Sequence, residues 1–281
     1  MLGVRRWGPR GAPAVLALHG ITANSGSWQA VARALGDSVR LIVPDLRGRA
    51  DSAGLQGPYG IERHAADALA VLDAEGLSRA VVAGHSMGAY VAARLAAENP
   101  DRVGALVLVD GGLALPLPAG MDPDDVVGVK FGPALDRLSM TFRDRAAHRA
   151  FWREHPAFAG DEVADADLAA WTDHDLGGEE PELRSRVRAE AVRTDGHDLI
   201  ADEDTRTALD RVTTPGVLLR AQRGLLDDEN AFIPAEQAQA FSHPSIELRE
   251  VPDTNHYTIV LGAEGAHATA GAIREAAAPY R

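Results

Sequence analysis

Five short, largely apolar runs recur along the chain, at residues 14–18, 39–43, 80–83, 105–109 and 216–220, with a sixth strand signal, Ile, Leu and Val among charged residues, at 246–251, each stopped by a polar or glycine- or proline-containing turn. Helical patterns stand between several of them. Residues 61–75 carry apolar groups at Leu69 and Leu72 with alanines between, and Gly76 closes the helix. Residues 89–98 are rich in helix formers and end at Asn99-Pro100. A last helix is predicted over 263–278. Apolar runs of four or five residues suit strands buried on both faces, and their alternation with helices predicts a parallel sheet covered on both sides.

One junction in this rhythm carries chemistry. Gly84-His85-Ser86-Met87-Gly88 is a G-x-S-x-G pentapeptide between the 80–83 strand and the 89–98 helix. A serine at a sharp strand-to-helix turn occupies a strained backbone conformation, and flanking glycines let neighbouring elements come close enough to allow it. The turn lifts the hydroxyl clear of the sheet and aims the first helix amides beside it. Context and pattern together predict Ser86 as a nucleophile.

The rhythm stops at Leu113 and resumes at Gly216. No buried strand is predicted over 113–212. Pro116, Pro118 and Pro123 open this stretch as loop, and residues 133–153 and 181–194 read as amphipathic helices. Residues 113–212 are therefore expected to form a helical insertion, or cap, between core segments 1–112 and 213–281.

Composition narrows the function classes. With 281 residues, 46% of them hydrophobic and 25% charged, the chain has the makeup of a globular α/β protein with one sizeable core. A formal net charge of −13 argues against nucleic acid or an anionic membrane as partner. It also disfavours strongly anionic substrates such as acyl-CoA. No apolar run is long enough to span a bilayer, and the first residues lack the apolar core of a secretory signal, so a soluble cytoplasmic enzyme is expected. The absence of cysteine excludes disulfides, thiolate metal sites and a cysteine nucleophile. The oligomeric state is left open.

A serine hydroxyl needs a base, and the base needs an orienting acid. Of the ten histidines, His256 follows the last strand signal and precedes the last helix, where a loop can set an imidazole over the Ser86 turn. His243 precedes Pro244, and His267 falls inside the last helix.

These features resemble an α/β-hydrolase-fold serine hydrolase with a helical cap inserted after the strand that follows the nucleophile helix. The likeness rests on the Ser86 turn, on His19-Gly20-Ile21 with Trp28, on Pro44-Asp45-Leu46-Arg47-Gly48 with Ser52, and on Asn255-His256-Tyr257. It implies a mostly parallel sheet flanked by helices. It also implies an oxyanion hole made by the backbone N–H groups of Ile21 and Met87. His19 and His85 then shape loops, and Asp45, Arg47 and Ser52 form a structural turn.

The family often places its acid in a Gly-x-x-Asp stretch after a late strand. Gly224 to Asp227 matches in letters, although the loop is longer than usual, and Asp228 is a neighbour. Other members carry the acid directly after the strand that follows the nucleophile helix, which here is Asp110. Asp227 is preferred, with Asp110 as the alternative.

The resemblance implies cleavage of an ester, lactone or thioester through an acyl-enzyme, without metal or organic cofactor. The same triad supports C–C bond hydrolysis, cofactor-free perhydrolysis, or ligand sensing without turnover. Large apolar residues of the insertion, among them Phe131, Phe142, Phe151, Trp152, Phe158 and Trp171, point to a medium-sized apolar small-molecule substrate wherever they face a cleft.

Overall fold

The computed structural model describes residues 1–117, 120–160 and 162–280. Its elements begin with β1 (Val4–Trp7), β2 (Ala14–Leu18), α1 (Gln29–Leu35), β3 (Arg40–Pro44), α2 (Ile61–Ala74), β4 (Ala80–His85), α3 (Met87–Glu98) and β5 (Val103–Val109). Next come α4 (Pro123–Leu138), α5 (Arg145–Arg153), α6 (Asp165–Asp175), the short strands β6 (Leu176–Gly177) and β7 (Arg184–Ser185), α7 (Ala189–Ala201) and α8 (Glu203–Arg206). The chain then returns to the sheet with β8 (Gly216–Ala221), α9 (Ala235–Ala240), β9 (Ile246–Val251), α10 (Thr258–Leu261) and α11 (Ala263–Ala277).

Seven strands form one sheet in the order β1-β3-β2-β4-β5-β8-β9. Only β1 runs antiparallel, against β3. The interior strands are continuously apolar because both faces are covered. Leu16, Leu18, Ile42, Val82, Leu106 and Leu218 pack with residues of α2 and α3. Their alternate neighbours Val15, Ala17, Leu41, Val81, Val107 and Leu219 pack with Trp28, α1 and α11. This is the period of two expected of a pleated strand. β1 has no such signature, since its Arg5 and Arg6 lie on an edge strand where one flank meets water.

Residues 113–212 depart in detail from the predicted helices. Asp122 caps α4 by accepting the Asp124 amide at 2.9 Å, and Pro123 occupies the first turn, so Pro133 lies inside the helix and does not open it. Residues 181–188 are extended, and the helix there starts only at Ala189. A β6–β7 pair and a Phe142–Leu183 bridge add a small ribbon that the sequence did not suggest. α6 packs on the Ser25–Trp28 turn, α7 on α2 and α4, and α8 on α3. Among the described residues no helix is long and apolar enough to cross a membrane.

Candidate active site

β4 delivers Ser86 directly onto α3. Ser86 has φ 53° and ψ −122°, a left-handed conformation costly for a residue with a Cβ. The glycines around it are sterically required. A Cβ added at Gly84 would lie 2.1 Å from the Gly88 carbonyl oxygen, and one at Gly88 would lie 2.2 Å from that of Leu18. The Ser86 amide is held by the Val109 carbonyl at 2.9 Å, which ties the turn to the end of β5.

His256 follows β9 in a loop fixed by its neighbour. The Asn255 carboxamide oxygen accepts the Tyr257 and Thr258 amides, and its nitrogen donates to the Ala157 carbonyl at 3.0 Å and to Asp227 Oδ1 at 2.9 Å. The His256 carbonyl accepts from His85 Nε2 at 2.8 Å. Held in this way, His256 Nε2 lies 3.0 Å from Ser86 Oγ, and Nδ1 lies 2.7 Å from Asp110 Oδ2. All three residues are buried. With Asp110 accepting at Nδ1–H, the Nε2 lone pair faces the Ser86 hydroxyl.

The carboxylate on the His256 ring is therefore Asp110, the alternative the sequence offered, and not Asp227, which it preferred. Asp110 sits at the end of β5 with φ 46°. Its amide donates to the Leu219 carbonyl, and its Oδ1 accepts the Ala221 amide at 3.1 Å, so the adjacent strand β8 fixes the carboxylate from behind. Asp227 lies one layer out. Its Oδ1 accepts Arg223 Nε at 2.6 Å as well as Asn255 Nδ2, so it braces the residue before His256 and stays off the ring. Asp228 accepts the Asn230 amide and lines the cavity.

The loop bearing Ile21 passes close to Ser86, since a Cβ on Gly20 would lie 3.6 Å from Ser86 Oγ. Met87 is the first residue of α3, where backbone amides have no partner within the helix. Arg49, which sequence reasoning passed over, holds this loop. Fully buried, it donates through Nε and Nη2 to the Ile21 carbonyl at 3.0 and 2.8 Å, and its Nη2 lies 2.6 Å from Asp195 of α7. Asp195 also meets His64 Nε2 at 3.0 Å and the Gly60 amide at 2.8 Å. Burial alone would raise the Asp195 carboxyl, yet the Arg49 and His64 charges outweigh it and hold the group down at about 2. The only sequence sign of this network is an arginine following Arg47-Gly48.

The other polar groups named from the sequence hold the surrounding loops in place. His19 donates to the Gly20 carbonyl and accepts the Leu46 amide, and burial pushes its pKa down to about 4. His85 is pushed down to about 3 by burial, and by the His256 ring. Asp45 accepts the Ser25 amide at 2.7 Å and His174 Nε2 at 2.8 Å. Among the described residues, Asp45, Asp51 and His174 alone bring three potential metal ligands within 4.8 Å, and both Asp45 oxygens already accept hydrogen bonds.

Ser86 and His256 open onto a cavity of about 610 Å³. Phe131, Phe151, Trp152 and Trp171 of the 113–212 stretch line it, together with Tyr257 and Phe232. Phe158 is buried against Trp152, and Phe142 packs on Leu176 and Leu183.

The sequence model of a family described as having the alpha/beta hydrolase fold matches residues 13–159, more than half of the chain. The chain belongs to the α/β-hydrolase-fold family. Among its curated relatives, the lipase LipV of Mycobacterium tuberculosis is 40% identical over 114 residues, 41% of this chain and 43% of that protein. The putative carbamate hydrolase RutD of Klebsiella pneumoniae is 37% identical over 106 residues, 37% of this chain and 40% of its own length. These matches thus span about two fifths of each relative. In fold, the chain is similar to the crystal structure of E-2-(acetamidomethylene)succinate hydrolase, with a TM-score of 0.76 at 22% identity, over 97% of this chain and 94% of the other.

Proposed function

We propose that this hydrolase-family chain is a serine hydrolase that cleaves carboxylic ester bonds, with lactones and thioesters open to the same chemistry, through an acyl-enzyme. The observation that carries the reading is the unbroken line Asp110–His256–Ser86 at the wall of a mostly apolar cavity. In this scheme Ser86 Oγ attacks the carbonyl carbon while His256 Nε2 takes the hydroxyl proton. Asp110 fixes the tautomer and steadies the imidazolium. The Ile21 and Met87 amides receive the oxygen that becomes negative, a task worth a few kcal/mol of barrier per donor. Collapse expels the alcohol, which takes the proton from Nε2, and water repeats the cycle on the acyl-enzyme. Residues 113–212 act as a cap that supplies the aromatic wall and keeps bulk water from the acyl group.

Two measurements test this together. Short-chain 4-nitrophenyl esters are hydrolysed, and a fluorophosphonate adds its mass at Ser86; Ser86→Ala loses both. Labelling of Ser86 without turnover of any activated ester favours a ligand-sensing protein on this fold. Absence of both overturns the nucleophile assignment.

A further inference from the structure

The charge of the cavity runs opposite to that of the chain. α4 lays Lys130, Pro133, Ala134 and Arg137 along the cavity, a spacing that puts all four on one face of a helix. Lys130 is the single lysine of the sequence and lines the cavity from an exposed position. Arg137 is only 7% exposed and stacks its guanidinium 4.9 Å from the Trp152 ring centre. Among the described residues its one carboxylate contact is long, Nη1 to Asp175 Oδ2 at 3.5 Å, and Nη2 is buried with no hydrogen-bond partner. Burial pushes the Asp175 carboxyl up, and its other oxygen is taken by Ser185 Oγ, which donates to it at 2.8 Å, so Asp175 does not grip Arg137 with both oxygens. Buried guanidinium groups ordinarily sit in a two-pronged, fully bonded carboxylate pair. Among the described residues Arg137 has no such pair. Among the described lining residues the only carboxylate is Asp228, on the loop after β8.

Two cations on one helix face, one with an unused buried N–H, stand in a cavity that also holds Ser86. Resting on the hydrolase reading above, we propose that the substrate carries a carboxylate remote from the scissile bond, received by Lys130 and Arg137, with an apolar segment between the two along the aromatic wall. The substrate class is then an ester whose acyl part ends in a second, free carboxylate. Lys130 supplies a point charge at the more exposed position, and Arg137 supplies directed N–H donors at the buried one.

Two six-carbon esters isolate the distal group: mono-4-nitrophenyl adipate, which ends in a carboxylate, and 4-nitrophenyl hexanoate, which ends in a methyl group. The wild-type protein is expected to favour the adipate in kcat/KM by roughly ten- to hundredfold, the range of charge-assisted hydrogen bonds. Lys130→Met and Arg137→Gln each shrink that ratio, and Lys130→Met, at an exposed position, does so in a protein with unchanged melting. A wild-type preference for hexanoate, or a ratio that neither variant moves, overturns the proposal. A binding arm separates this proposal from the hydrolase reading. In Ser86→Ala, monomethyl adipate should bind more tightly than methyl hexanoate by a similar factor, and Lys130→Met should erase most of the difference. Equal or weaker binding of the anion refutes the carboxylate site even if esters are turned over. Tighter binding upholds it even if they are not.

Discussion

Replacing Asp110 by Asn tests the triad at the point where two carboxylates compete. Asp110 is fully buried, with Oδ1 accepting the Ala221 amide and Oδ2 facing His256 Nδ1. An Asn side chain has two ways to fill this site. If its oxygen keeps the Ala221 amide, its NH₂ meets Nδ1, the ring must carry its proton on Nε2, and no lone pair faces Ser86. If its oxygen turns to the ring, the NH₂ confronts the Ala221 N–H inside the protein, at a cost of about 1–3 kcal/mol for the unsatisfied donors. The first arrangement is cheaper and catalytically inert. Asp110→Asn should therefore lower kcat by ~10²–10⁴-fold, or about 3–5 kcal/mol of barrier, with KM little changed. Asp227 is a half-exposed partner of Arg223 and Asn255, so Asp227→Asn should cost less than about tenfold in rate and about 0.2–1 kcal/mol in stability. The assay is 4-nitrophenyl ester hydrolysis with melting curves for both variants. Comparable losses in the two, or the larger loss in Asp227→Asn, would refute the assignment of Asp110.

The left-handed backbone of Ser86 predicts that Ser86→Gly is inactive but more stable than Ser86→Ala by about 1 kcal/mol, measured by urea unfolding; equal stability would contradict the strain argument. The pH dependence of stability follows from His19, His85 and His148, pushed down to about 4, 3 and 4, chiefly by burial. Their folded pKa values lie below the unfolded one, so stability is full above pH ~6.5 and falls as acid protonates the unfolded chain. At pH 5 each group costs up to about 2 kcal/mol. A urea midpoint that is flat from pH 7.5 to 5 would exclude this. Arg49→Met leaves Asp195 charged and buried beside His64 and should cost about 3–5 kcal/mol. Arg49→Met combined with Asp195→Leu should be more stable than Arg49→Met alone, and simple additivity of the two substitutions would falsify the coupling.

The interior strands could be read in the sequence because both faces of each are buried, which makes 14–18 and 105–109 continuously apolar. β1 could not, since Arg5 and Arg6 mask an edge strand whose only partner lies some forty residues on. The start of α4 was hidden because Asp122-Pro123 serves equally as loop punctuation and as a helix start; only packing against α7 decides. The meeting of Ser86 with His256 follows from element order. The carboxylate that reaches the ring does not, since letter spacing favours Gly224–Asp227, whereas that reach depends on β5 lying beside β8 and on the Ala221 amide. The cationic face of the cavity stays invisible until the register of α4 is known.

The position of Asp110 directly after β5 has a consequence for variation. The loop after β8 contributes Leu225, Leu226, Asp228 and Asn230 to the cavity mouth, and both leucines are exposed. On the proposed assignment this rim carries no proton-transfer duty beyond the bracing by Asp227. Its length and side chains are thus free to diversify, by natural drift or by library design, and to retune which molecules enter while the reactive machinery is inherited intact.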